Sequence, residues 1–376
     1  MTPQASYFPL LDALRGMAAL VVVLRHTGYL WGGLVLPHSY LAVDLFFLLS
    51  GVVVANAYEH RLRAGLTVAR FSLIRLIRIY PLYALGSMLG LAPVLAALAG
   101  LAPQPVQGPL ALALASALLL LPDLAEPALF PLNPPAWSLF FELGANLVYA
   151  ALLPHLGKRM LWLIVAACAA GLALVLLADP GAGLHGGYTP ATLLTGGLRV
   201  GFGFFAGVLL WRAHLGRNPA RPVRAPGGRA WQGAAGWLPV ALAAALLLAR
   251  PAAPLAPWFD LGAVLLAFPA LLYCAMQHGA MQGGLSARAC AWLGALSYPL
   301  YVLHVPLARL VNGVLEKGLQ VDVAASFPCA GLGFMALLLA ACGLLERHVD
   351  APLRRRLMAR LARTPGQAAP LRPAPP

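Results

Sequence analysis

Charge is scarce in this chain. Asp, Glu, Lys and Arg together make up 10% of its 376 residues, too few to clothe the surface of a soluble protein of that length. Acidic residues are the scarcer kind, 12 against 26 Lys and Arg. The positive excess excludes nucleic acid as a partner, because the arginines fall in short loops and in the C-terminal tail, where membrane topology places them. No hydrophilic block long enough to fold alone interrupts the apolar runs between Phe8 and Leu345, so a separate soluble domain is not expected. The five cysteines, Cys168, Cys274, Cys290, Cys329 and Cys342, lack metal-ligand or redox spacing. They read as small buried hydrophobes, with no metal site. No small-residue cleavage site follows the first apolar run, and that run is expected to remain as an anchor.

What the chain has in abundance is apolar length: 61% of it is hydrophobic and its mean hydropathy is +0.79. Eleven candidate spans lie at 8–30, 40–58, 73–100, 109–124, 137–154, 160–178, 192–211, 236–250, 258–277, 290–312 and 325–345. This predicts an all-α, polytopic transmembrane helix bundle. The basic loops are 59–72, 155–159, 212–235, 278–289 and the tail, and all are expected on the cytoplasmic side. Eleven full crossings from a cytoplasmic N-terminus would place the loops after 154 and 211, and the tail, outside. One candidate therefore does not cross. The stretch 109–124 is short for a span and runs into Pro122, Asp123 and Glu126, so it is expected to be re-entrant or interfacial. That leaves about ten crossings and both termini in the cytoplasm. Residues 1–350 then form one membrane domain, and 351–376 a basic, Pro-rich cytoplasmic tail, partly disordered and close to anionic lipid.

Polar groups inside such segments are costly and face protein or a wet cavity. Arg15 and His26 lie eleven residues apart in the first span, close to three helical turns, and so share one face about 16 Å apart along the axis. The cation sits near the inner side and the imidazole toward the outer leaflet. Asp44, near the outer end of the second span, is placed to pair with Arg25 or His26. Structural ion pairing and catalysis are both open for it. Arg75 and Arg78 share a face at the cytoplasmic end of the third span. Their forked guanidinium groups suit phosphate oxygens, although topology anchoring explains such a pair as well. In the segment Asn133 to Tyr149, Trp137 occupies an interfacial place, and Ser138, Glu142 and Asn146 recur every fourth residue as one polar stripe. Glu142 is expected at the depth of His26. A second stripe, Ser297, Tyr301 and His304, accompanies Tyr298 and Pro299. His304 reads either as a packing histidine or as a second functional imidazole. Arg199 and Arg250 are outer-side candidates for binding an acceptor.

Acyl transfer across a membrane needs a cationic inner site for a phosphorylated carrier, a passage for the acyl group and a base beside the acceptor hydroxyl. Arg75, Arg78 and Arg15 supply the first. His26, oriented by Glu142 or Asp44, supplies the last, since an imidazole titrates near neutrality and can take a hydroxyl proton as the oxygen attacks a thioester. An Arg or Tyr donor would stabilise the developing oxyanion. This reading requires the two ends to open onto one continuous hollow. A proton-coupled transporter of a small solute, or of an acyl or sugar compound, would also use intramembrane His, Glu and Asp. The chain shows no internal repeat, and an inner Arg pair favours an anionic carrier molecule over a transported ion.

Five motifs in order carry a resemblance: R-x10-H at Arg15 and His26, VDLFFLLSG at Val43 to Gly51, RLIRIYP at Arg75 to Pro81, WSLFFE at Trp137 to Glu142, and LGALSYPLYVLHVP at Leu293 to Pro306. Together they resemble the membrane proteins of acyltransferase family 3, over about nine tenths of the chain. The resemblance implies a multi-pass, inner-membrane O-acyltransferase, commonly an acetyltransferase. Such an enzyme takes the acyl group from cytoplasmic acyl-CoA, with acetyl-CoA as the default co-substrate and no permanently bound cofactor, and modifies extracytoplasmic or lipid-linked glycans. It marks Arg15, His26, Arg75 and Arg78 as functional and puts Glu142 in the place of the family's acid. His26, Glu142 and Asp44 are thus the expected catalytic set, Arg15, Arg75 and Arg78 the donor site, and Trp137, Ser138, Tyr298, Tyr301 and His304 the substrate contacts. Some relatives carry a C-terminal soluble hydrolase-like domain. Here the acceptor is expected to be served by the membrane domain alone or by a separate partner.

Overall fold

The structure, a computed structural model, describes residues 8–101, 104–181, 183–217, 234–277, 284–323 and 325–363. Among the described residues there are helices and no strands. Helix α1 (Pro9–His26) begins with a proline at its first position, where a missing N–H costs no hydrogen bond. α2 (Ala42–Arg63) is followed by α3 (Val68–Leu89), whose start is capped by the Thr67 hydroxyl accepting from the Arg70 amide. α4 (Ala92–Leu98) and α5 (Leu110–Leu119) are short. α6 (Ala136–Leu152), α7 (Lys158–Ala178), α8 (Leu193–Arg217) and α9 (Leu238–Leu248) come next. α10 (Ala256–Gly262) runs through a π turn into α11 (Phe268–Gln277). α12 (Gly284–Gly313) is the longest helix at 30 residues. α13 (Cys329–Leu345) passes through another π turn into α14 (Ala351–Arg363).

Seven segments among the described residues are long and apolar enough to cross a membrane, and they contain α2, α3, α7, α8, α11, most of α12, and α13. α1 has the 18 residues a crossing needs but carries Asp12, Arg15 and Arg25. With α1, α6 and α9 these segments occupy the ten stretches expected to cross. The stretch expected not to cross holds α5, ten residues and about 15 Å long, half the hydrocarbon thickness. The run expected as one span at 73–100 is broken between α3 and α4. The basic loop at 212–235 lies largely outside the described residues, as do 278–283 and the tail from 364, while 284–289 belongs to α12. The tail's first part, 351–363, is helix α14.

Two close helix pairs build the centre: α1 lies along α12, and α2 along α8. Both depend on glycine. A Cβ at Gly294 would sit 2.5 Å from the Asp12 carboxyl carbon, and one at Gly207 or Gly51 would strike the facing backbone carbonyl of Leu48 or Phe204. Small residues let helix backbones approach in this way where lipid supplies no hydrophobic drive. The α2 segment is 67% buried, whereas the α7 and α13 segments are 22% buried. The exposed Trp162, Leu163, Leu174 and Leu177 of α7 therefore face lipid, and the polar machinery belongs to the inner helices.

Candidate functional site

A cavity of about 150 Å³ lies between α1, α2, α3, α6 and α12. Arg15 reaches it from α1, its Nη2 donating to Gly294 O and Ser297 Oγ, both at 3.2 Å, and its Nη1 to Asp12 at 3.2 Å. Arg75, from α3, donates to Glu142 Oε1 at 2.8 Å, and Ser50 Oγ donates to the same oxygen at 2.7 Å. Arg78, one turn further along α3, lines the cavity and makes no hydrogen bond or ion pair among the described residues. Three guanidinium groups thus face one carboxylate on the wall. Such a space attracts an anion, and the planar forks match phosphate oxygens.

The opposite end of the cavity is closed by a pair of hydroxyls. Ser138 Oγ and Tyr301 OH lie 2.7 Å apart, and both reach the Pro135 carbonyl at 3.2 Å. Beside them Phe46 meets the Tyr301 ring edge to face, and the Tyr298 hydroxyl donates to the Ile79 carbonyl. One turn beyond Tyr301 is His304, fully buried, with Nδ1 2.9 Å from Leu300 O and Nε2 3.0 Å from His26 Nδ1. His26 Nδ1 also lies 3.0 Å from Val22 O. Prolines shape this part of α12. Pro306 has no N–H to give the Val302 carbonyl, and Asn133 Nδ2 donates to it instead at 3.2 Å.

Arg15 and His26 do project from one face of α1. Arg15 meets Ser297 and His26 meets His304, so the stripe Ser297, Tyr301, His304 runs alongside α1 in the same direction. Three expectations need correction. Glu142 is not at the depth of His26: it shares the cavity with Arg15, and the chain of contacts to His26 climbs through Ser138, Tyr301 and His304. The acid therefore holds Arg75 and cannot orient His26. Asp44 does not pair with Arg25 or His26 either. Its two oxygens take a fork from Arg199, at 2.9 and 2.6 Å, with both side chains 1% exposed. Finally, the cavity and the histidine pair are not one continuous hollow, because the cavity's lining reaches Ser138 and Tyr301 and includes neither His26 nor His304.

Trp137 stands away from the cavity, its ring beneath the Arg199 guanidinium at 5.4 Å. Arg199 also donates to Gly186 O and Tyr40 O, which leaves it unable to serve as an acceptor contact. Arg250 donates to Val35 O at 2.7 Å. Arg15, Arg75, Arg78, Glu142, Ser138, Tyr298 and Tyr301 are gathered at one cavity, with His26 and His304 beyond its closed end and Asp44 and Trp137 apart. Ser50 and Asp12 were not expected as partners of the site. A hydroxyl and a carboxylate within apolar helices were the only signals in the sequence.

These features define a polytopic membrane protein with a cationic chamber below a histidine pair. A family model described as an acyltransferase domain matches residues 8–347, and the chain belongs to acyltransferase family 3. It is a membrane acyltransferase. A relative from Rhizobium radiobacter, named Protein 2 in picA locus, is 44% identical over 156 residues, covering 38% of this chain and 81% of that protein. No solved structure matches.

Proposed function

We propose that the protein moves an acyl group, acetyl by default, from cytoplasmic acyl-CoA to a hydroxyl of an extracytoplasmic or lipid-linked glycan. It would do so from the inner membrane, with both termini in the cytoplasm. Arg15, Arg75 and Arg78 hold the phosphates of the donor, whose pantetheine arm points the thioester toward Tyr301. His26 takes the proton of the acceptor hydroxyl as its oxygen attacks the thioester carbonyl. The C–O bond forms, the C–S bond breaks, and the departing thiolate recovers the proton from the imidazolium. The Tyr301 hydroxyl, once turned from Ser138, donates to the carbonyl oxygen as it gains charge.

The observation that carries this reading is the alignment of three arginines in one chamber with a histidine pair beyond it, separated by a single pair of hydroxyls. Mass spectrometry of envelope glycans from cells with and without the gene tests it, a gain of one acetyl mass being the expected result. In the same assay His26→Ala is expected to abolish the modification while the protein stays in the membrane. A fully active His26→Ala protein would refute the base assignment.

A further inference from the structure

We propose that His304 is a positioning residue that fixes the tautomer of His26 and leaves His26 Nε2 as the bare nitrogen that receives the acceptor's proton. This rests on the reading of His26 as the base. It follows from counting donors along one line of contacts. The Leu300 carbonyl can only accept, so His304 Nδ1, 2.9 Å away, carries a proton. A fully buried His304 with no carboxylate among its partners is neutral. Its Nε2 then holds a lone pair. That nitrogen lies 3.0 Å from His26 Nδ1, and two lone pairs at that distance repel, so His26 Nδ1 is the donor.

The Val22 carbonyl, also 3.0 Å from His26 Nδ1, agrees with this assignment. One N–H is shared between two acceptors. The other nitrogen of a neutral His26 is unprotonated, bonds to no described residue, and belongs to an exposed ring. The reverse chain of protons fails at its first link, because it sets the His304 Nδ1 lone pair against the Leu300 carbonyl. When His26 takes up a proton, its Nδ1–H becomes more acidic and its bond to His304 Nε2 strengthens. A neutral imidazole thus does what a carboxylate does in many base and orienter pairs.

The test uses the full chain in lipid nanodiscs, with ¹⁵N-labelled histidine, and follows the tautomer and turnover separately. In the wild type the His26 signals are expected to show protonated Nδ1 and bare Nε2, the less common form of a free imidazole. His304→Leu removes the acceptor and is expected to lower kcat by about tenfold to a hundredfold, the worth of one hydrogen bond to a charged partner, with the acyl-CoA KM unchanged. His304→Gln, whose amide oxygen can stand in for Nε2, is expected to restore most of the turnover. A His26 signal protonated at Nε2 would overturn the proposal, as would a fully active His304→Leu protein or a His304→Gln protein no better than it. If the nitrogen signals are as expected and His26→Ala retains activity, the hydrogen-bond chain stands and the base assignment fails instead.

Discussion

Arg75 donates to Glu142 at 2.8 Å, whereas Arg78, three residues along the same helix, reaches the same cavity and meets no hydrogen-bond partner among the described residues. One arginine is held in place by an acid and the other is left for a ligand. Arg78→Ala is therefore expected to raise the KM for acyl-CoA by about tenfold to a hundredfold, since one charge-assisted bond to phosphate is worth about 1.5–3 kcal/mol. kcat should change little. Arg78→Lys keeps a point charge without the fork and should lie between. Donor titrations and steady-state rates check both, and an unchanged KM in Arg78→Ala would leave Arg78 as a topology anchor.

The Asp44 and Arg199 pair, sealed between α2 and α8, makes the opposite prediction. Removing one partner strands a buried charge, and Asp44→Ala is expected to cost about 3–5 kcal/mol of stability. Replacing both, as in Asp44→Leu with Arg199→Met, should recover most of that loss and most of the activity. Thermal unfolding in detergent and glycan modification in cells measure the two effects. A stable double variant without activity would return Asp44 to the chemistry.

Tyr301 and Ser138 close the passage together but are expected to contribute unequally. Tyr301→Phe removes the hydroxyl that would face the developing oxyanion, and a donor in that position is worth about a hundredfold to a thousandfold in rate. Ser138→Ala only frees Tyr301 from one partner. Turnover should fall far more in Tyr301→Phe than in Ser138→Ala, with donor KM similar in both. Equal effects would reduce the pair to a seal.

Much of this arrangement is legible before any folding is considered. Eleven residues make three turns, so Arg15 and His26 had to share a face, and that face lies on α12. The Ser138, Glu142 and Asn146 stripe is real as a stripe, but its members part company: Ser138 goes to Tyr301, Glu142 to Arg75, and Asn146 to its own helix at Glu142 O. Helical periodicity fixes which side a residue faces, not which helix it meets. The partners of His26 and Asp44 lie 278 and 155 residues away, and no local signal marks them. The depth of Glu142 follows instead from helix ends: α6 begins at Ala136, as expected, which puts Glu142 six residues inside it, whereas His26 is the last residue of α1.

The loop between α7 and α8 carries a pH dependence through His185, which is short of water and lies beside two guanidinium groups. Arg25 Nη2 lies 3.1 Å from His185 Nε2, and a guanidinium can only donate, so that nitrogen must keep its lone pair. Loss of surrounding water, then the charges of Arg25 and Arg199, push the His185 imidazole down from its ordinary 6.5 to about 4. A histidine whose folded value lies below its unfolded one binds fewer protons when folded in the interval between them. Stability is then fully present above about pH 6.5 and falls as the pH drops toward 4. The midpoint of thermal unfolding in detergent is expected to decline over that window, and to decline less in His185→Phe, which keeps the ring contacts with Tyr40 and Tyr188 but has no nitrogen to protonate. An identical decline in wild type and His185→Phe would place the acid sensitivity elsewhere in the protein.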